Sequence, residues 1–183
     1  NYSINIVLMR KSLLERLINE ATSLGFRSFT DDILKRNVAK LKIFGYEVTG
    51  FVKLLDSMQS YFEANMALLD KETRNALCRS NPVYTKVKDD VPAIYGLGSD
   101  VSNSLIADGC VIEGKVENSI LFRGVHIGKD AVVKNCVIMQ NSYIGDDVSL
   151  NCVVADKNVV IKPNKVLSGD EKFPVYIGKG IVI

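Results

Sequence analysis

One short phrase returns four times in the C-terminal half of this chain. Val101-Ser102-Asn103-Ser104 is followed by Val116-Glu117-Asn118-Ser119, Val133-Lys134-Asn135-Cys136 and Leu150-Asn151-Cys152. Each phrase runs into hydrophobic residues and then a turn residue, Gly109, Gly124, Asn141 or Asn158. An isoleucine punctuates each unit, at Ile112, Ile127, Ile144 and Ile161, with Ile177 expected as a fifth. Their spacings of 15, 17, 17 and 16 residues fit three short strands per turn of a coil. A unit this small cannot bury an apolar face alone, so copies must stack into a solenoid, and this pattern fits a β-helix.

With 183 residues, 47% of them hydrophobic, there is material for one sizeable core or two small ones. A net charge of +2 with scattered basic residues argues against a nucleic-acid footprint. No apolar run approaches the length of a membrane span, and no basic-then-apolar leader is present in the sequence. Asn1 opens directly into strand-like sequence, which reads as a fragment of something longer. Cys78, Cys110, Cys136 and Cys152 form no CxxC pair and have one histidine beside them, too few ligands for zinc. They read as reduced structural thiols of a cytoplasmic protein, Cys136 and Cys152 sharing one register on neighbouring coils.

The first half is mixed. Residues 2–9 alternate like a buried strand, and residues 42–52, broken by Gly45 and Gly50, read as two short strands. Lys11 to Leu24 places apolar residues on one helical face, with Gly25 as its cap. Asp31 and Asp32 are expected to cap a second helix through Ile33, Leu34, Val38 and Leu41. Ser57 is expected to cap a third, whose Met58, Tyr61, Phe62, Met66 and Leu69 read as a core-packing stripe. Residues 79–98, with two prolines and no periodicity, read as a linker. The division expected is therefore 1–80, a linker at 81–98, and a β-helix at 99–183.

In the β-helix, glycine or asparagine at the corners suits the left-handed backbone conformation that such corners need. The asparagines of the repeated phrase should stack into an internal amide ladder. The repeat resembles the hexapeptide repeat of left-handed β-helices, and the handedness comes from that resemblance. Many such proteins are acyltransferases using a histidine base, and the lone candidate is His126, which reads better as corner decoration. Arg123, Lys129 and Lys134 are candidates for an anion site, although a solvated face is the preferred reading.

Several stretches resemble the C-terminal half of the ADP-glucose pyrophosphorylase (glucose-1-phosphate adenylyltransferase) family. They are residues 60–66 (SYFEANM), 83–89 (VYTKVKD), 104–114, 133–140 (VKNCVIMQ) and, most specific, Val116 to Val125 (VENSILFRGV). The resemblance implies an α/β remnant of a Rossmann-like nucleotidyltransferase domain, followed by an all-β left-handed parallel β-helix. It implies a tetramer that turns ATP and glucose 1-phosphate into ADP-glucose for glycogen synthesis, with magnesium stabilising an in-line displacement. The Gly-rich nucleotide loop of that family is absent here, so this fragment is not expected to catalyse alone or to carry a cofactor of its own.

Departures from the family pattern shift the expectation from enzyme to partner. Active members carry a segment of the type G-Y-W-R-D-[VI]-G-T, whose Asp holds magnesium; this chain has Gly50 to Ser57 (GFVKLLDS) there. Leu54 occupies the metal position and Val52 the tryptophan position, and an alkyl chain cannot ligate a hard cation. Asp56 lies two residues on, roughly 7 Å along an extended strand. The sugar-contacting phrase becomes Ser3 to Val7, keeping Ser3 as a sugar-site remnant and losing the tyrosine at Val7. The D-F-G phrase becomes Ser28-Phe29-Thr30, keeping Phe29 as the second remnant and losing the aspartate at Ser28. The chain thus resembles the GlgD-type regulatory or structural subunits, expected to assemble with the catalytic subunit or with itself and to bind neither nucleic acid nor membrane. An active nucleotidylyltransferase relying on Asp56 is the first alternative, and a hexapeptide acyltransferase relying on His126 the remote one.

Overall fold

A computed structural model describes residues 3–78, 83–84 and 88–183. The chain divides into two compact units, Asn1–Thr49 and Gly50–Ile183.

In the first unit, helix α1 (Lys11–Leu24) forms as its apolar spacing predicts and buries Leu17 and Ala21. Gly25 ends it in the left-handed conformation at φ 68°, and the N–H of Phe26 reaches back to the Ala21 carbonyl at 2.9 Å. The next cap is Ser28, not Asp31 or Asp32. The Ser28 hydroxyl accepts from the Asp31 N–H at the start of a wide turn, Phe29–Leu34, that leads into the short α2 (Lys35–Asn37). The Asp32 carboxylate instead reaches backward, accepting from the N–H groups of Arg27 and Ser28 at 3.1 and 3.0 Å. These bonds hold its carboxyl below the usual carboxylate range, and Asp31 is lowered likewise by its bonds to Lys35 and Ser28. Leu17, Ala21 and Ile33 form a small core with Met9, Leu13, Phe26, Phe29 and Leu41, whereas Val38 stays exposed.

Neither expected strand region in the first half forms a strand. Leu8 is 99% exposed, and Ile6, Phe44 and Tyr46 are also open to solvent. The physical reason is pairing: a strand needs a neighbour for its N–H and C=O groups. Among the described residues before Ile94 there is none.

The second unit begins with helix α3 (Met58–Ala67). Ser57 accepts from the Ser60 N–H at 3.1 Å, and the Ser60 hydroxyl accepts from the Ser57 N–H at 3.0 Å, closing a capping box. A further helix, α4 (Lys71–Cys78), follows, for which the sequence reading has no counterpart. Asp70 accepts from the Thr73 N–H at 2.8 Å, and Arg74 donates to the Leu68 and Leu69 carbonyls that α3 leaves unpaired. Of the stretch expected as linker, 79–82 and 85–87 lie outside the described residues, and Ile94–Tyr95 already forms the first strand of the solenoid.

Among the described residues, fifteen short strands stack as three parallel five-stranded sheets. The first sheet holds Ile94–Tyr95, Val111–Ile112, His126–Ile127, Tyr143–Ile144 and Val160–Ile161. The second holds Asp100–Ser102, Lys115–Glu117, Val132–Lys134, Ser149–Asn151 and Val166–Ser168. The third holds Leu105–Ile106, Ile120–Leu121, Val137–Ile138, Val153–Ala155 and Val175–Ile177. Each coil contributes one strand to each sheet, so every strand finds its partners one coil away.

Ile112, Ile127, Ile144 and Ile161 stack in register inside this prism, each fully buried. Ile177 is not the fifth of that column: it pairs with Ala155 in the third sheet. Residues after Ser168 form an extra loop before Val175, which displaces the register, and Val182 takes the position beside Val160. Gly109, Gly124, Asn141 and Asn158 all adopt left-handed corners, with φ between 56° and 75°.

Helix α3 lies on the outer face of the third sheet. Phe62, 3% exposed, packs with Val137, Cys152 and Val154, flanked by Met58, Tyr61 and Met66. The methionine–aromatic stripe is therefore core, as its spacing suggested.

Candidate functional site

Residues assigned to a sugar and metal site divide between the two units. In the first, Ser3 is exposed and its hydroxyl accepts from the Asn5 N–H at 3.2 Å, Val7 is 47% exposed, and Ser28 is committed to its capping bond. Phe29 belongs to the small apolar core around Leu17. In the second, Val52 and Leu54 are exposed coil residues, and Lys53 between them pairs with Glu63 at 3.3 Å. Asp56 gives its N–H to the Ser60 hydroxyl at 3.1 Å and so serves the entry to α3. No group of three potential metal-ligating side chains occurs among the described residues. Leu54 offers only carbon where the resemblance places a magnesium ligand, and the residues around it do not fit that ion.

Two candidate groupings on the β-helix are placed differently from an active site. His126 stands on the outer face of the first sheet, its ring stacked on Tyr143 at 4.8 Å and its Nε2 3.6 Å from a Glu113 carboxylate oxygen. Arg123, Lys129 and Lys134 do not gather. They follow or occupy strands of the third, first and second sheets respectively, and Lys134 is paired with Glu117 at 2.9 Å.

The amide ladder exists, at a corner rather than inside. Asn103 donates to Asn118 at 2.7 Å, Asn118 to Asn135 at 2.6 Å, and Asn135 to Asn151 at 3.0 Å. The first three hold φ near +50°, which turns their side chains toward the surface. Behind them runs a second column. Ser119 donates to the Glu117 carbonyl at 2.8 Å and accepts from the Cys136 N–H at 3.0 Å, and Cys136 repeats the outward bond to the Lys134 carbonyl.

Cys136 and Cys152 do not share that column. The pairing of Asn151 with Lys134 places Cys152 opposite Asn135, so Cys152 takes the corner with φ 51° and packs under α3. The fourth phrase is one residue short, and the strand register, not the phrase, decides which side chain points inward. Burial pushes the Cys136 thiol up to about 12 and raises Cys110 and Cys152 as well. The fourth corner, Asn135, Asn151 and Cys152, faces the loop residues Gly169 to Lys172 across an open cleft of about 340 Å³. The isoleucine spacing gives no sign of this loop, since Ile161 to Ile177 is 16 residues, within the range of the other spacings.

Stacked coils, left-handed asparagine or glycine corners and inward isoleucines define a hexapeptide-repeat protein with a left-handed β-helix. Residues 93–173 match the family model described as GlmU-like, C-terminal hexapeptide. Over 98% of its length the chain is 40% identical to the glycogen biosynthesis protein GlgD of Bacillus subtilis, covering 52% of that protein. It is 43% identical to GlgD of Geobacillus stearothermophilus, again over 98% of the chain and 52% of the relative. Glucose-1-phosphate adenylyltransferase of Clostridium perfringens is 33% identical over the whole chain, which covers 46% of it. The chain belongs to the ADP-glucose pyrophosphorylase family, and it spans about half the length of the curated relatives it matches. Among the described residues, no helix is long and apolar enough to cross a membrane.

Proposed function

We propose that this chain is part of a non-catalytic, regulatory or structural subunit of ADP-glucose pyrophosphorylase, acting in glycogen biosynthesis in the cytoplasm. In this reading residues 1–80 are the end of a nucleotidyltransferase-like domain and residues 99–183 its β-helical appendage. The subunit assembles with an active one, within a tetramer, and shifts that partner's conformational populations toward its active form. ATP, magnesium and glucose 1-phosphate are handled by the active subunit.

One observation carries this reading: Leu54, exposed and aliphatic, at the position where active relatives are expected to hold the magnesium aspartate. Loss of the aromatic positions at Val7 and Val52, and of the acidic one at Ser28, supports it. The two relatives named GlgD support the assignment to glycogen biosynthesis.

The test uses the full-length protein with the catalytic subunit of the same organism. Co-elution of the two, with altered kcat or effector response in the mixture, is the expected result. Failure to associate and to alter the kinetics removes the proposal. Magnesium-dependent ADP-glucose synthesis by the protein alone, abolished by Asp56→Asn, replaces it with an active enzyme.

A further inference from the structure

The segment that the family pattern assigns to sugar and metal, Gly50 to Ser57, falls in the same compact unit as the β-helix. It begins at Gly50, whose φ of 126° is a backbone conformation that glycine adopts without strain. Two links then tie it to α3. The Ser60 hydroxyl accepts from the N–H groups of Asp56 at 3.1 Å and Ser57 at 3.0 Å. Further back, Lys53 Nζ lies 3.3 Å from one carboxylate oxygen of Glu63, whose other oxygen accepts from Gln59 at 3.0 Å.

The helix is held from its opposite side. At about 100° per residue, Ser60 and Glu63 fall on the side of α3 turned away from Met58 and Phe62. Phe62 packs on Val137, Cys152 and Val154 of the solenoid, with Met58, Tyr61 and Met66 beside it. A continuous path therefore runs from the site segment through Ser60 and Glu63, across α3, to the third sheet.

We propose that residues 53–57 form a strap that couples the former sugar and metal position to the β-helix through α3. The proposal rests on the reading above, which places that position at residues 50–57 of a subunit that does not catalyse. The two ends of the path differ in strength. The strap is held by hydrogen bonds and one ion pair at the surface, whereas Phe62 is 3% exposed. Surface pairs of this kind are weak beside a buried aromatic ring, so the strap releases before α3 leaves the sheet. A ligand or partner that orders the strap favours the seated helix, and a contact that tightens the β-helix under α3 orders the strap. Local ordering of this kind links two places without a change of fold.

The experiment is amide hydrogen exchange on the full-length subunit, alone and mixed with the catalytic subunit. Ser60→Ala removes the acceptor of both N–H groups and should speed exchange at Asp56 and Ser57 roughly tenfold, with the amides of Phe62 to Ala67 unchanged. Val154→Ala alters only the β-helix side of the path, and should speed exchange at Asp56 and Ser57 roughly threefold. Lys53→Glu should also speed it roughly threefold, and adding Glu63→Lys in the same chain should return it to the wild-type rate. In the mixture, the Ser60→Ala subunit should co-elute with the catalytic subunit as the wild type does, yet change its kcat or effector response by roughly twofold or more. Unchanged exchange at Asp56 and Ser57 in either Ser60→Ala or Val154→Ala overturns the coupling. A charge swap that fails to restore the rate, or mixture kinetics indifferent to Ser60→Ala, overturns it too. Ser60→Ala and the charge swap leave the buried face of α3 intact, so these arms do not depend on how Val154→Ala folds. A wild-type subunit that does not associate removes the reading above, whereas exchange in the subunit alone still decides the strap.

Discussion

The two halves of this chain treat strand-forming sequence in opposite ways. Residues 3–9 and 42–52 have strand composition, yet form no strand and are mostly exposed. The β-helix makes strands of two or three residues, each too short to count as a signal, and pairs every one of them. The difference lies in where partners come from. A solenoid supplies each strand's neighbour from the same repeat one coil away, whereas a segment of a larger sheet needs strands from distant sequence. The relatives, about twice as long as this chain, contain residues beyond those matched here.

That contrast is open to perturbation. Phe62→Ala should cost about 3–5 kcal/mol in chemical denaturation, because it strips the buried face of α3 from Val137 and Val154. Leu8→Ser, at an equally apolar but 99% exposed position, should change stability by less than about 0.5 kcal/mol. Equal effects from the two would mean that the exposed segments are packed after all. Asn135→Ala removes two rungs of the amide ladder and places alanine at φ 50°, and should cost about 1–2 kcal/mol by the same measurement.

The last effect appears only at alkaline pH and concerns the thiols. Burial raises Cys136 from 9.0 to about 12, so the folded protein keeps a proton that the unfolded chain loses. Its contribution to stability is complete below pH 9 and is lost as the pH rises toward 12. A Cys136→Ser variant should show a shallower fall in stability across that window. At neutral pH a thiol reagent should modify the exposed Cys78 and spare Cys110, Cys136 and Cys152 until the protein unfolds.

Much of this was readable in the residues. The isoleucine column, the corner residues Gly109, Gly124, Asn141 and Asn158, and the Ser57 cap all follow from local rules: side-chain period, left-handed tolerance, and hydroxyl capping. The sites were less legible. Leu54 and Val52 stand out only by comparison with a family pattern, since an exposed aliphatic residue has no signature of its own. Aligning the phrases puts Cys152 in the Cys136 column, whereas strand pairing shifts it by one residue to the corner opposite Asn135. Ile177 keeps the spacing of the isoleucine column by coincidence, because the loop after Ser168 moves it to the third sheet.

The sequence alone determined that the second half must be a stacked coil, because a repeat of this length can satisfy its backbone and its apolar residues only in its own copies. Tertiary structure decided what each face of that coil does. Inward positions are dictated by period, but outward positions depend on what lies over them: among the described residues α3 covers the third sheet, Lys134 pairs with Glu117 on the second, and Ile94, Tyr143 and Val182 of the first are exposed. No local rule distinguishes Val154 under a helix from Val182 in the open, since burial is a property of the neighbour and not of the residue.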